Sequence, residues 1–130
     1  MNRIFTSVVG ATFAALALAI PASADTVITS GTFTGASNHI TTGGVSVVKT
    51  SDGKTVLILG SDFSLDGAPD PSVGFGKNGK FVSASDLGKL TSINGKQVFV
   101  VPASVNVEDF NEIYIWCEKF SVPLGVASIN

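Results

Sequence analysis

Several residue types are nearly missing from this chain, and each shortage removes a class of chemistry. There is one cysteine, Cys117, so no intramolecular disulfide can form. There is one histidine, His39, so a nucleophile–histidine–acid hydrolase site has a single candidate base. A metal site, which needs several converging ligands, has no His- or Cys-rich cluster to draw on. Arginine occurs only at position 3. Without it, seven lysines face ten acids, a net charge of −3 with no basic stripe. Nucleic acid and anionic membrane surfaces are therefore poor partners for such a chain, and no nucleic acid is expected among them. The glycines fall in turns between strands, so they make no phosphate-binding loop. No apolar run beyond residue 24 is long enough to cross a bilayer, and no repeat is visible.

The first 24 residues have the order of a secretory leader. Arg3 supplies positive charge, Val8 to Ile20 form an apolar stretch, and Pro21 ends it. Ala22-Ser23-Ala24 offers small residues for cleavage after Ala24. The stretch falls short of the roughly 20 residues of a spanning helix, so a membrane anchor is the poorer reading. The sequence thus predicts a signal peptide over 1–24 and one exported domain over 25–130, periplasmic or secreted, with no membrane insertion after cleavage. A domain of that size buries roughly 60–70% of its unfolded surface and folds without staples. In an oxidising compartment its lone thiol is buried, paired with another molecule, or chemically used. The domain is expected to be a monomer, or a disulfide-linked dimer if Cys117 is exposed.

Short apolar segments separated by Gly, Asn and Asp, with no amphipathic helix, predict an all-β antiparallel domain. Asp52-Gly53 reads as a two-residue turn between Val45–Thr50 and Thr55–Leu59, placing Val48 opposite Leu57 and Val47 opposite Ile58. Asn94-Gly95 reads as a second hairpin, joining Lys89–Ile93 to Lys96–Val101 with Leu90 opposite Phe99. Asn78-Gly79 joins Val73–Lys77 to Lys80–Val82. Further strands are expected at Gly31–Ala36, Glu112–Cys117 and Phe120–Ala127, with one helical turn capped by Asn106. About eight short strands imply a β-sandwich or a barrel-like roll.

Along Glu112–Cys117, alternation sets Ile113, Ile115 and Cys117 on one face and Tyr114 and Trp116 on the other. A tight connection at Glu118-Lys119 would put Cys117 opposite Phe120 and Ile115 opposite Val122. Ile115-Trp116-Cys117 followed by Phe120, Val122, Leu124-Gly125 and Ala127 resembles the closing signature of the DM-thirteen domain family. Gly31-Thr32-Phe33, Gly43-Gly44-Val45, Val56 to Phe63, Asp66 to Ser72, Leu87 to Leu90 and Val101-Pro102 resemble its earlier segments. One stretch departs from it: Ser72-Val73-Gly74-Phe75-Gly76 stands where the family has a tyrosine-containing strand.

That family is described as an electron-transfer domain. The resemblance implies a redox role at its near-invariant cysteine, which corresponds to Cys117. A thiolate is also a strong soft ligand, so haem or a metal at Cys117 is a conceivable cofactor that no other motif supports. The competing reading makes Cys117 a packed core residue of a ligand- or protein-binding module. Partners are then a redox protein or a small ligand. Trp116 and Tyr114 could relay electrons or form a binding shelf, but capping a sheet face suits them better. His39 reads as a surface residue at a strand end. Asp62, Asp66 and Asp70 lack the oxygen spacing of a calcium loop and suit turns instead.

Overall fold

The computed structural model describes residues 24–129. The proposed leader lies outside these residues, except for Ala24. Among the described residues, eleven strands run in chain order as β1 (Thr26–Gly35), β2 (Thr41–Thr42), β3 (Gly44–Lys49), β4 (Thr55–Leu59), β5 (Ser64–Leu65), β6 (Pro71–Lys77), β7 (Lys80–Phe81), β8 (Gly88–Lys89), β9 (Gln97–Val101), β10 (Glu112–Cys117) and β11 (Val122–Ser128). Nine of them form one antiparallel sheet in the order β7-β6-β10-β11-β1-β3-β4-β9, with β8 also on β6; β2 and β5 make a separate pair. The all-β expectation holds, and the shape is a curled sheet, a half-barrel, rather than two stacked layers.

Strand β1 produces the curl. Its first seven residues pair with β3 through a bulge at Ile28, and its last three pair with β11. A bulge bends and twists the strand that carries it. Because one strand serves both halves of the sheet, their inner faces meet over a single core. Val45 and Val47 of β3, Leu57 and Leu59 of β4, Val73 and Phe75 of β6, Ile113 and Ile115 of β10, and Leu124 of β11 all belong to it.

Of the three expected hairpins, one forms with its two-residue turn, one forms with a longer loop and a shifted register, and one does not form. Asn78 and Gly79 both take positive φ, 51° and 83°, and pair Lys77 with Lys80 as a two-residue turn requires. At Asp52-Gly53 only the glycine is left-handed, with φ 86°. The Thr50 N–H donates to the Lys54 carbonyl at 2.8 Å, so three residues form the loop. The register is one residue off the expectation: Val47 faces Leu57 and Val48 faces Val56. That shift keeps Val47 and Leu57 together on the core side, since cross-strand partners share a face.

The Asn94-Gly95 hairpin does not form. Asn94 lacks the positive φ that such a turn requires, and the Gly95 N–H donates to the Phe63 carbonyl at 2.9 Å. Strand β9 pairs with β4, where Phe99 faces Leu57 rather than Leu90. Its buried Gln97 side chain accepts from the Thr91 and Ser92 N–H groups, so the preceding segment is held as a loop. The expected helical turn is present as a 3₁₀ turn over Val107–Asp109, with the Asn106 side chain accepting from the Glu108 N–H.

Candidate functional site

Strand β10 has the bounds and the face alternation the sequence predicts. Ile113, Ile115 and Cys117 enter the core, while Tyr114 and Trp116 lie on the outer side. Cys117 ends the strand, between Pro71 of β6 and Val122 of β11. The expected pairing with Phe120 is replaced by Val122, and Ile115 faces Gly125 rather than Val122. A four-residue connection, Glu118 to Ser121, replaces the expected two-residue one and moves the register by two, and an irregularity between Ile115 and Trp116 adds one more; Ser121 in that connection has φ 52°.

Cys117 is 1% exposed. Its thiol donates to the Pro69 carbonyl at 3.2 Å, a bond that only the protonated sulfur can make. Pro69 belongs to the Asp66–Asp70 segment, and the Glu118 N–H donates to the Asp70 carbonyl at 3.2 Å. The Asp70 carboxylate pairs with Lys89 Nζ at 2.9 Å, and this contact raises the lysine pKa. The Asp66–Asp70 loop therefore lies against the sulfur, bonded to Cys117 through Pro69 and to the Glu118 N–H through Asp70.

Next to this cover lies a cluster that sequence reasoning missed. The buried Ser72 hydroxyl stands 3.1 Å from Asp86 Oδ2 and 3.1 Å from Glu118 Oε1. The Gly88 N–H donates to Asp86 Oδ1 at 2.8 Å, which fixes that carboxyl. Glu118 is pushed above the ordinary carboxylate range, first by its hydrogen bond with Asp86 and next by burial. Ser72 and Glu118 are 46 positions apart, and no local pattern announces their meeting.

The outer face of β10 carries an aromatic group. Phe81 stacks on Trp116 with centroids 4.4 Å apart and planes 14° apart, and Tyr114 meets both rings edge-on. Glycines in β6 make the room. A Cβ at Gly76 would sit 2.2 Å from Tyr114, and one at Gly74 would sit 2.8 Å from Phe81. Where the sequence departs from the tyrosine-containing pattern, Gly74 and Gly76 thus seat aromatic rings from neighbouring strands. Burial, then the Glu112 charge, raises the Tyr114 pKa. A cleft of about 610 Å³ runs beside these rings, edged by Glu112 and Lys80.

His39 and Cys117 are held by different partners. His39 Nδ1 lies 2.9 Å from Asp66 Oδ1, and the other Asp66 oxygen accepts from the Ile40 N–H. Asp62 accepts from the Gly44 N–H. Each of the three aspartates thus serves a turn or a clip. Among the described residues, no group of three or more His, Cys, Asp or Glu side chains could hold a metal ion. A single sulfur already bonded to a backbone carbonyl does not fit haem or a metal either.

A curled antiparallel sheet with one thiol shielded at a strand end defines a small β-domain built around a protected cysteine. A family model described as Electron transfer DM13 matches residues 32–129, and the chain belongs to that family. No curated protein and no solved structure matches it.

Proposed function

We propose that this domain transfers electrons by thiol–disulfide exchange at Cys117, which a disulfide reaches when the loop carrying Pro69 opens. The observation that carries this reading is the position of the sulfur: it ends a strand, under one loop, in a chain of an electron-transfer family. With no second cysteine, the other sulfurs must come from the partner. The Cys117 thiol loses its proton to solvent and attacks a partner disulfide. A Cys117–partner S–S bond forms, the partner S–S bond breaks, and the leaving sulfur takes up a proton. Cys117 is oxidised and the leaving sulfur reduced; a further thiol then attacks the partner sulfur of the mixed disulfide, a new S–S bond to the partner forms, the Cys117–partner bond breaks, and Cys117 leaves as a thiol. The leader-like residues 1–24 support a periplasmic or secreted setting, where such disulfides persist.

The test is to incubate the native protein with oxidised glutathione and read intact mass. One added glutathione, absent in Cys117→Ser and removed by a reductant, is the expected result. No adduct until the protein is unfolded would sink the proposal. One observation favours a second reading: Cys117 packs within the hydrophobic core. On that reading the thiol is structural, and the cleft beside Phe81, Tyr114 and Trp116 is the binding surface of a ligand module.

A further inference from the structure

The two ends of the large sheet are finished differently. One end closes on β7, two residues long, where Lys77 faces Lys80, and on the equally short β8, which ends in Lys89. Short strands and lysines keep a sheet edge from adding a further strand. The other end is β9, Gln97–Val101, whose five residues include no charge, proline or glycine. It pairs with β4 in unbroken register. Among the described residues, no backbone group of β9 bonds to backbone beyond β4. Its far side therefore presents a row of unpaired N–H and C=O groups.

The outer face at this end is apolar as well. Val27, Val48, Val56 and Val100 stand opposite one another across β1, β3, β4 and β9, in one row on the side away from the core. Val48 and Val56 inside the row are buried, whereas Val100 at its open end is 62% exposed. Val98, opposite Ile58 on the same face, is 55% exposed. On the other face of β9, Gln97, Phe99 and Val101 are buried. A strand with one buried face and one unpaired edge takes a neighbour only in a register that keeps its faces.

We propose that β9 pairs antiparallel with β9 of a second copy of this chain, joining two half-barrels through one continuous sheet. The strand is complementary to itself. With Phe99 opposite its own equivalent, Val98 of each copy meets Val100 of the other, and Gln97 meets Val101. The arrangement has twofold symmetry, and every inward residue keeps an inward partner. Each exposed valine gains a cross-strand valine, and the row from Val27 to Val100 continues into Val98 and Ile58 of the second copy. Strand β9 carries no charge that would select a charged peptide instead. Because the β7 end is blunted, each copy has one such edge, and assembly closes at two. The edge is about 17 Å long, so the association is weak and depends on concentration.

The experiment follows sedimentation of the native protein from about 10 μM to about 1 mM, in reductant so that no Cys117 disulfide forms. The expected result is an average mass that rises from one chain toward two. In Val98→Lys combined with Val100→Lys, like charges meet twice across the pair, and association should weaken about tenfold or more. In Val98→Lys combined with Val100→Glu, the same register sets opposite charges together, and association should return to within about threefold of the parent. Val27→Lys, at the far end of the row, should leave association unchanged. All three positions are exposed, so each variant should keep the parent's urea midpoint. A single chain throughout overturns the proposal and leaves the edge to a strand of another protein. A dimer indifferent to the two lysines, or one that the Lys and Glu pair does not restore, overturns it too. Cys117 takes no part in this pairing, so its failure leaves the glutathione test of the redox reading unaffected.

Discussion

If the Asp66–Asp70 cover opens by itself, Cys117 will be modified without global unfolding, and the structure sets the scale of its protection. Opening at Gly67–Asp70, with Asp66 still held by His39 and Ile40, breaks the bond from the thiol to the Pro69 carbonyl and the bond from the Glu118 N–H to the Asp70 carbonyl. Each is worth about 1 kcal/mol net. It also exposes the methyl of Ala68, which packs against the core, adding about 0.8 kcal/mol. The exposed Lys89–Asp70 pair contributes little more. An opening cost of about 2–3 kcal/mol corresponds to labelling roughly 30- to 150-fold slower than in the unfolded chain. Global unfolding of such a domain would protect by about 10³-fold or more. The assay is timed alkylation read by intact mass over a series of low urea concentrations. Local opening predicts the smaller protection and a rate nearly independent of urea. Protection above about 10⁴-fold, with the full urea dependence of unfolding, would show that the cover does not open alone and would refute this reasoning.

Three further substitutions test other parts of the structure. Ser85→Ala removes the hydroxyl that accepts from the buried Phe75 N–H at 2.8 Å and should cost about 1–3 kcal/mol in a urea midpoint. Gly76→Ala sets a Cβ 2.2 Å from Tyr114 and 2.5 Å from the Lys80 carbonyl, so it should destabilise by about 1–3 kcal/mol and quench the near-ultraviolet aromatic signal. Asp66 is held below the ordinary carboxylate range, first by its hydrogen bond with His39 and then by the Ile40 N–H. Its contribution is therefore present above the ordinary value of 3.8 and lost as pH falls through the lowered one. In His39→Ala the Asp66 carboxyl should titrate at higher pH by NMR; an unmoved titration would contradict the contact.

Part of the site is legible in the amino-acid sequence. Alternation along Glu112–Cys117 correctly divides the core residues from the aromatic face, because side-chain direction in a strand is a local property. Burial of Cys117 beneath Pro69 is not legible there, since the covering loop lies 48 positions away. The Ser72–Asp86–Glu118 cluster is invisible for the same reason. The three residues carry no shared spacing and meet only because β6 pairs with β10.

Turns show the same division. Asn78-Gly79 forms its hairpin because both residues adopt left-handed backbone at little cost and their flanking strands are neighbours in space. Asn94-Gly95 has the same letters but turns toward Phe63 and Ser64, since β9 buries Phe99 and Val101 by pairing with β4. By itself, then, the sequence determined the all-β class, the bounds and faces of β10, the Asn106 cap, and where the chain turns. Tertiary structure decided which strands pair, the one-residue register at Asp52-Gly53, and what encloses Cys117. Backbone preference and side-chain alternation act over a few residues, whereas pairing is settled by the burial of apolar faces from distant segments in one core.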